Sequence, residues 1–319
     1  MRKIYAIALN TAVDMSMRIS DFTYGKIIRS LEYKEYAAGK AVNSCRAIAC
    51  LDQKSLLYCF SGETDLDLFS KISPFIKVSA FEGQGVTRRN LTLVTQENEL
   101  VCHIQNQGYT VSSELLQTLE KKLFQNIKKD DVVIVSGSMP SGVPSNYLHG
   151  LLSRLAKVGV QIILDCDPIL LGFVAGVKVT LAKPNREELS RLASKELLTT
   201  QDIVSAAVEL FNSSIIVVSL GADGAIWINK DKRYFQSGKI SVRSNEAITD
   251  PIGCGDSMVG GFALGLARSE SDEKMLKMGL AAGYANLFVP GPGTLTPIDY
   301  ERGISTAVID TPVALREEG

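Results

Sequence analysis

Short apolar runs alternate along the chain with segments of helical periodicity. Six of these runs predict strands buried on both faces of a sheet: Ile4–Leu9, Ser55–Phe60, Val132–Val135, Gln161–Leu164, Val177–Leu181 and Ile215–Ser219. The helical segments are Ala41–Leu51, Ser113–Asn126, Ser145–Val158, Asn185–Leu192, Thr200–Phe211, Asp256–Ala267 and Asp272–Phe288. Because strands and helices alternate, we predict an α/β fold in which helices cover both faces of a mostly parallel central sheet.

Two further stretches, Val13–Tyr36 and Gly85–Ile104, alternate polar and apolar residues with a period of two. That period is typical of strands with one solvated face. We predict a separate small antiparallel sheet, formed by lid strands at about 13–36 and 85–106 and inserted into a single domain of residues 1–319. Such a sheet would act as a lid or as the surface of a homodimer. The alternative is that these strands extend the edge of the main sheet.

The composition excludes several classes of function. Hydrophobic residues make up 45% and charged residues 22% of the 319 positions, and the formal net charge is −1. This balance provides no long-range attraction for nucleic acid or for an acidic membrane surface. The six cysteines form no C-x-x-C pair and the chain has two histidines, so no zinc pattern is present. No apolar stretch has the length of a signal peptide or a membrane span, and we expect a cytoplasmic protein with reduced thiols.

The strongest candidate for chemistry is the turn Gly253-Cys254-Gly255-Asp256, which precedes an apolar helical segment. Glycine allows backbone amides to approach a ligand closely, and the first turn of a helix presents unpaired amides to an anion. A carboxylate in the same turn is placed to take a proton from a hydroxyl group beside that anion. The pattern suits phosphoryl transfer to an alcohol, and the alternative is a glycine turn in which Asp256 only caps the helix.

Two further motifs, each at the end of a predicted strand, are suited to a nucleotide-binding site. Lys183-Pro184-Asn185 ends a strand, and Asn185 and Glu188 share one face of the next helix. This pair suits either magnesium bound through water or a capping box. The segment from Ser219 to Gly224 suits either a nucleotide site or a plain β-turn.

Cations near the predicted lid suggest a phosphate site. Arg29 and Arg88 lie in the lid segments, where arginine either clamps a phosphate or is solvated. Gly39 and Lys40 enter a helix, but Ala41 follows where a P-loop requires Ser or Thr. No G-x-G-x-x-G follows the first strand, which excludes the Rossmann fingerprint as well.

Together and in order, these motifs resemble the PfkB (ribokinase-like) sugar kinase family, and within it the phosphosugar branch of 1-phosphofructokinases and tagatose-6-phosphate kinases. The resemblance extends from about Ile4 to Gly293. It rests on Leu9-Asn10-Thr11-Ala12-Val13-Asp14, Gly39-Lys40-Ala41-Val42-Asn43, Thr87-Arg88-Arg89-Asn90, Ser136-Gly137-Ser138-Met139-Pro140, Lys183-Pro184-Asn185, Ser219-Leu220-Gly221 and Gly253-Cys254-Gly255-Asp256-Ser257-Met258. It implies a ribokinase-like three-layer sandwich with a small antiparallel β lid.

The resemblance also implies roles for individual residues. Asp256 would be the general base, and the amides of Gly253, Cys254 and Gly255 would form the anion hole. Lys183 would contact the phosphates of ATP, with Ser219, Gly221 and Gly224 lining the nucleotide site. Asn185 and Glu188 would organise Mg²⁺ through water. Sugar hydroxyls would be held by Asp14 and Asn43 near Gly39, and the phosphate of the substrate by Arg29, Lys40, Arg88 and Ser138.

The chain departs from the family pattern at four positions. Thr11 replaces a proline, which we expect to relax the turn that carries Asp14. Ala38 and Ala41 replace two glycines, and we expect their methyl groups to narrow the sugar pocket or shift the backbone. Cys254 replaces an alanine and keeps its amide, so we expect little effect there.

The leading hypothesis is an ATP- and magnesium-dependent kinase for a ketohexose phosphate: fructose 1-phosphate, fructose 6-phosphate or tagatose 6-phosphate. Two alternatives stay open: a kinase of the same fold for an unphosphorylated sugar or nucleoside, and a non-catalytic sugar-sensing relative. The set Arg29, Lys40 and Arg88 favours the phosphosugar, because a buried cation without an anionic partner is costly.

Overall fold

The computed structural model describes residues 2–95, 100–166, 176–243, 246, 248–249 and 251–315. Its strands are β1 (Ile4–Ala8), β2 (Ala12–Ile19), β3 (Glu32–Ala38), β4 (Ser55–Ser61), β5 (Ile76–Glu82), β6 (Arg88–Thr95), β7 (Leu100–Ile104), β8 (Val132–Gly137), β9 (Gln161–Cys166), β10 (Val179–Ala182), β11 (Ser213–Ser219), β12 (Ala225–Asn229), β13 (Tyr234–Lys239), β14 (Val308–Ile309) and β15 (Val313–Ala314). Its helices are α1 (Lys40–Cys50), α2 (Leu66–Ser70), α3 (Ser113–Phe124), α4 (Tyr147–Val158), α5 (Arg186–Ala193), α6 (Thr200–Leu210), α7 (Cys254–Arg268), α8 (Asp272–Asn286) and α9 (Pro297–Thr306).

The larger sheet has the strand order β14-β13-β12-β11-β10-β9-β8-β1-β4-β5, with β15 paired to β13. The strands from β11 to β5 in this order pair in parallel, and β12 to β15 add an antiparallel edge. The predicted mostly parallel sheet is therefore confirmed, with all six predicted strands. The carboxyl ends of its parallel strands lie at one edge, where open α/β sheets bind their ligands.

Helices cover both faces of this sheet because most residues of its central parallel strands are apolar on both faces. Alternate residues of β1 enter different cores. Tyr5 and Ile7 pack with α3, α4, α5 and α6, whereas Ile4 and Ala6 pack with α1, α7 and α8. All seven predicted helices are present with small shifts at their ends. The sequence analysis missed α2, α9, β13 and the edge strand β5. In β5 the apolar residues Ile76, Val78 and Ala80 alternate with Lys77 and Ser79, so a signal was present there.

The predicted small sheet is separate from the main sheet and has the order β3-β2-β6-β7. Its outer pairs, β2 with β3 and β6 with β7, are antiparallel as expected, whereas its central pair, β2 with β6, is parallel. The parallel pair arises because β2 and β6 follow β1 and β5, which run in the same direction in the main sheet. The alternative, that these strands extend the edge of the main sheet, is wrong.

The two faces of the small sheet differ in chemistry. Asp14 and Asn90 lie opposite each other in register on one face, and the next residues along each strand, Met15 and Leu91, lie on the other. Where the lid joins the main sheet, Arg89 donates two hydrogen bonds of 2.9 Å to the carboxylate of Asp65. Among the helices described, none combines the length and the apolar composition that a membrane span needs.

Candidate active site

A glycine turn opens α7 at the ligand edge of the main sheet. Gly253 is the N-cap, with φ of +86°, and a Cβ atom there would lie 2.7 Å from the nitrogen of Gly293 and 2.8 Å from Cα of Pro292. Only glycine fits both the backbone angle and the space. Within the described residues no side-chain hydrogen bond caps this helix, because its N-cap is a glycine.

Asp256 lies in that first turn but does not cap the helix. Its Oδ2 accepts a hydrogen bond of 2.7 Å from Nδ2 of Asn43, on α1. The alternative reading of Asp256 as a mere cap is therefore wrong. Burial raises the pKa of Asp256 to about 7, and the charge of Asp165 adds to this rise, whereas Lys40, Asn43 and Lys183 oppose it. A carboxyl group with a pKa near neutrality is suited to act as a general base.

Two lysines meet a carboxylate that the sequence analysis missed. Asp165, at the end of β9, is 1% exposed, and its Oδ1 lies 3.2 Å from Nζ of Lys40 and 3.5 Å from Nζ of Lys183. Burial disfavours the charged form of Lys40, but Asp165, Glu188 and Asp256 outweigh it and raise the pKa of Lys40. The signal for Asp165 was present, since it is an acidic residue that follows the apolar run of a parallel strand at its carboxyl end.

The N-terminus of α5 is closed by the predicted capping box. Oδ1 of Asn185 accepts from the backbone nitrogen of Glu188 at 2.7 Å, and Oε2 of Glu188 accepts from the backbone nitrogen of Asn185 at 2.8 Å. The other carboxylate oxygen, Oε1, faces Nζ of Lys40 at 3.7 Å. Within the described ranges no group of three or more metal-binding side chains exists. The capping box thus uses Oε2 of Glu188, and Oε1 is the oxygen placed to contact a hydrated ion.

The predicted nucleotide residues lie beside this capping box. Asn185 and Ser219 form a parallel bridge, and the backbone nitrogen of Ser219 donates to the oxygen of Pro184 at 3.0 Å. Gly221 and Gly224 form the turn between β11 and β12, and a Cβ atom on Gly224 would lie 2.1 Å from a backbone oxygen. Packing explains Gly224, and the nucleotide-binding roles stay predictions.

The sugar-side residues lie where the lid joins β1. Oδ1 of Asp14 accepts from Nδ2 of Asn90 at 2.7 Å, and burial raises the pKa of Asp14. Arg88 donates to the oxygens of Thr11 at 3.2 Å and of Asn10 at 3.1 Å. Nδ2 of Asn10 also donates to Oγ of Ser138 at 2.9 Å. Arg88 and Ser138 therefore meet at Asn10.

The other two predicted phosphate ligands lie elsewhere. The ammonium of Lys40 lies with Asp165 beside Asp256. Arg29 is exposed on the connection between β2 and β3, and within the described residues no hydrogen bond or ion pair joins it to Lys40, Arg88 or Ser138. The joint binding of a phosphate by these four residues stays a prediction.

Three expectations drawn from departures in the sequence are corrected. The turn at Thr11 is not relaxed, because its backbone nitrogen donates to Oη of Tyr109 at 2.8 Å and its Oγ1 donates to the oxygen of Phe60 at 2.6 Å. A proline has no such donors. Ala38 and Ala41 have no exposed surface, so their methyl groups line no pocket. The backbone of Gly39 between them has φ of +129°, which glycine alone adopts readily.

Comparison with known proteins agrees with the resemblance found in the sequence. The profile of the pfkB family carbohydrate kinases matches residues 5–299. The 1-phosphofructokinase of Escherichia coli K12 is 30% identical over 286 residues, which cover 88% of this chain and 89% of that protein. The tagatose-6-phosphate kinase of Staphylococcus epidermidis is 29% identical over 290 residues, or 89% and 91% of the two chains.

Solved structures agree as well. Phosphofructokinase-2 from Escherichia coli in complex with fructose-6-phosphate has a TM-score of 0.85 at 26% identity, covering 96% of this chain and 99% of that one. The expected ribokinase-like fold is thereby confirmed. Fold and family define a phosphotransferase whose acceptor is an alcohol group. The chain belongs to the pfkB family of carbohydrate kinases.

Proposed function

We propose that this protein transfers the γ-phosphoryl group of ATP to a hydroxyl group of a ketohexose phosphate, with Asp256 as the general base. The observation that carries the proposal is the position of this carboxylate. It lies in the first turn of a helix whose N-cap is a glycine, and its pKa of about 7 leaves it about half ionised at neutral pH and mostly ionised above it. The curated relatives named for fructose 1-phosphate and tagatose 6-phosphate chemistry support the choice of acceptor.

The open turn suits the charge that develops during transfer. The amides of Gly253, Cys254 and Gly255 would stabilise the equatorial oxygens of the γ-phosphoryl group. Lys183 fits the same role, since a Cβ atom on Gly255 would lie 3.5 Å from its Nζ. The terminal phosphate of ATP carries two negative charges, which the carboxylates of Asp165 and Asp256 would repel. The positive charges of Lys40 and Lys183 offset this repulsion.

ATP would enter as its magnesium complex, on the side of the site formed by Lys183, Asn185 and Ser219. Mg²⁺ keeps several waters and is commonly held by one or two carboxylates together with substrate phosphates. Oε1 of Glu188, which faces Nζ of Lys40, fits a contact through water, and the capping box holds that side chain in place. Asn185 serves the site by orienting Glu188.

The phosphate already on the acceptor would be held by Arg88 and Ser138, with Asp14 and Asn43 on the sugar hydroxyl groups. One observation favours the second candidate, an unphosphorylated sugar. Arg88 is already engaged with the backbone oxygens of Asn10 and Thr11, so a purely structural role would account for it. Arg88→Ala separates the two, because a phosphate clamp predicts a far larger rise in KM for the phosphosugar than for ATP.

A substrate panel tests the proposed function directly. ADP release would be measured with fructose 1-phosphate, fructose 6-phosphate and tagatose 6-phosphate, and with fructose, ribose and adenosine as unphosphorylated controls. We expect turnover with at least one ketohexose phosphate and at least tenfold lower kcat/KM for every control. Preference for a control would establish the second candidate. Tight ATP binding without turnover on any compound would identify a non-catalytic relative.

We also propose that the whole chain forms one kinase domain and that two copies associate through the lid. On the face opposite Asp14, Met15 and Met17 lie in register with Leu91 and Leu93, all partly exposed. The adjoining connection leaves Ile27 93% exposed. An apolar face of this kind is typical of an interface between subunits. It would also bring Arg29 of one copy towards the site of the other.

The oligomeric state tests this association. Leu93→Glu places a charge on the apolar face and is expected to shift the protein from dimer to monomer in light scattering. Ser16→Glu, on the opposite face of the same sheet, is the matched control and should leave the dimer intact. A wild-type protein that is monomeric at micromolar concentration would overturn the proposal.

A further inference from the structure

Arg46 was not among the predicted site residues, yet its guanidinium contacts three segments around Asp256. It lies on α1 three residues after Asn43 and therefore on the same face of the helix. Its Nη1 donates to Oδ1 of Asn43 at 3.2 Å and to the oxygen of Pro292, and its Nη2 donates to the oxygen of Ala37. All three acceptors are neutral oxygens, so this cation acts on the orientation of its neighbours.

The orientation of the Asn43 amide matters because its two ends are nearly equal in shape and opposite in chemistry. With Nδ2 towards Asp256, the amide donates to the carboxylate and stabilises the ionised form. With the amide turned by 180°, Oδ1 would accept a hydrogen bond from the protonated carboxyl group of Asp256 and stabilise the protonated form. A protonated Asp256 cannot act as a base.

We propose that Arg46 is a positioning residue that locks the Asn43 amide so that Asn43 can only donate to Asp256. A guanidinium has only hydrogen-bond donors, so Arg46 can donate to Oδ1 of Asn43 but cannot accept from its Nδ2. Arg46 therefore keeps Oδ1 directed towards itself. The proposal rests on the general-base role proposed above and adds to it the group that keeps the base in its ionised form.

The other groups that face Asp256 cannot do this. Asp165 faces it from β9, Lys40 from α1, and Lys183 from the segment after β10. These three charges act on Asp256 through space, but among the described residues only Arg46 contacts Oδ1 of Asn43. Removing Arg46 therefore frees the amide and leaves the local charges on Asp256 in place.

A second effect of Arg46 must be separated from the first. Pro292, one of its acceptors, packs against the Gly253 turn, and a Cβ atom on Gly293 would lie 2.3 Å from the oxygen of Asn43. Arg46 thus also fastens the segment that supports the anion hole. A purely structural role of this kind would lower activity and stability without changing the proton affinity of Asp256.

The test is a titration of Asp256 in the enzyme without substrate. Carboxyl ¹³C NMR of aspartate-labelled protein would be compared for wild type, Arg46→Met, Asn43→Ala and the double variant, with the Asp256 resonance assigned by its loss in Asp256→Asn. We expect Arg46→Met to raise the pKa of Asp256 by about one unit, which is a tenfold higher affinity of this carboxylate for its proton. In the Asn43→Ala background, Arg46→Met should cause no further rise.

Two outcomes overturn the proposal: an unchanged pKa in Arg46→Met, or an equal rise with and without Asn43. If Arg46→Met does not fold, Arg46→Lys replaces it. A lysine reaches fewer of the three oxygens at once, so a smaller rise in the same direction is expected. A failure of the general-base role would be recognised by a separate result, namely that the Asp256→Asn variant retains its turnover.

Discussion

Helices α5 and α7 both begin at the ligand edge of the main sheet, and their first turns differ in how the backbone amides are satisfied. In α5, Asn185 and Glu188 satisfy each other's backbone amides. In α7, the N-cap is Gly253 and no side chain caps the turn. The first amides of a helix need a partner, so the closed turn is satisfied by its own side chains, whereas the open turn leaves its amides to water or to an anion.

The same comparison applies to the acidic residue at the third helical position. Glu188 in α5 turns back to cap its own helix, while Asp256 in α7 turns outward to Asn43. Side-chain length is not the cause, because Asp202 completes a capping box at the same position of α6. Gly253 has no side chain with which to form the reciprocal half of a capping box with Asp256. Two acidic residues at the same helical position thus differ in whether they satisfy the amides of their own helix.

The largest effect is expected from Asp256→Asn, which keeps the shape of the open turn and removes the base. We expect kcat to fall at least ~100-fold, the scale of general-base catalysis. The matched control is Asp202→Asn, which changes the acidic residue of the capping box that opens α6. Steady-state ADP release measures both. If Asp256→Asn kept most of its turnover, the base would have to be sought elsewhere.

Gly253→Ala distorts the open turn itself. The backbone angle and the contacts with Gly293 and Pro292 leave no room for a methyl group, so we expect a loss of about 2 kcal/mol in the free energy of unfolding and a clear fall in kcat. Gly255→Ala is the control for stability, because its Cβ atom would lie at an ordinary contact distance of 3.5 Å from Lys183. Equal destabilisation by both variants would contradict this account of the turn.

The pH dependence of kcat/KM should report the base of the open turn. The pKa of Asp256 is raised to about 7, so the carboxylate becomes protonated and inactive as the pH falls through that value. We expect about a tenfold loss of kcat/KM for each pH unit below 7 and a plateau above it. A profile that stays flat down to pH 5 would mean that no group with this pKa takes part.

The smallest effect is expected from Glu188→Gln, which tests whether the closed turn is only structural. Glutamine can still accept from the amide of Asn185, so the free energy of unfolding should stay within about 0.5 kcal/mol. The lost charge beside Lys40 should lower kcat about tenfold and raise the magnesium requirement. Glu187→Gln, exposed on the same helix, is the control. Full activity of Glu188→Gln would show that the side chain of Glu188 serves only to cap its helix.

Much of the molecule was predictable because its signals are local. The apolar runs identified the parallel strands, and the glycine pattern at 253–256 identified the open turn. The parallel pairing of β2 with β6 was not predictable, because it depends on where β1 and β5 lie in the main sheet. Asp165 was missed because a single acidic residue after a strand gains meaning only from the lysines that fold against it.

The departures from the family pattern illustrate the same limit. Thr11 was expected to loosen its turn, but Tyr109, almost a hundred positions away, accepts from its backbone amide. Ala38 and Ala41 were expected in the sugar pocket, but the pleat of β3 and the packing of α1 bury both. In each case the residue was visible in the sequence and its environment was not.

The sequence by itself determined which groups are present and how each segment folds locally, because periodicity, glycine and capping residues act over a few positions. Only the tertiary structure decided that Asp256 is a carboxyl group with a raised pKa. The pKa of Asp256 depends on burial and on Asp165, Lys40 and Lys183, which come from three separate segments of the chain. Electrostatic interactions depend on distance in space, and the fold alone brings these charges together.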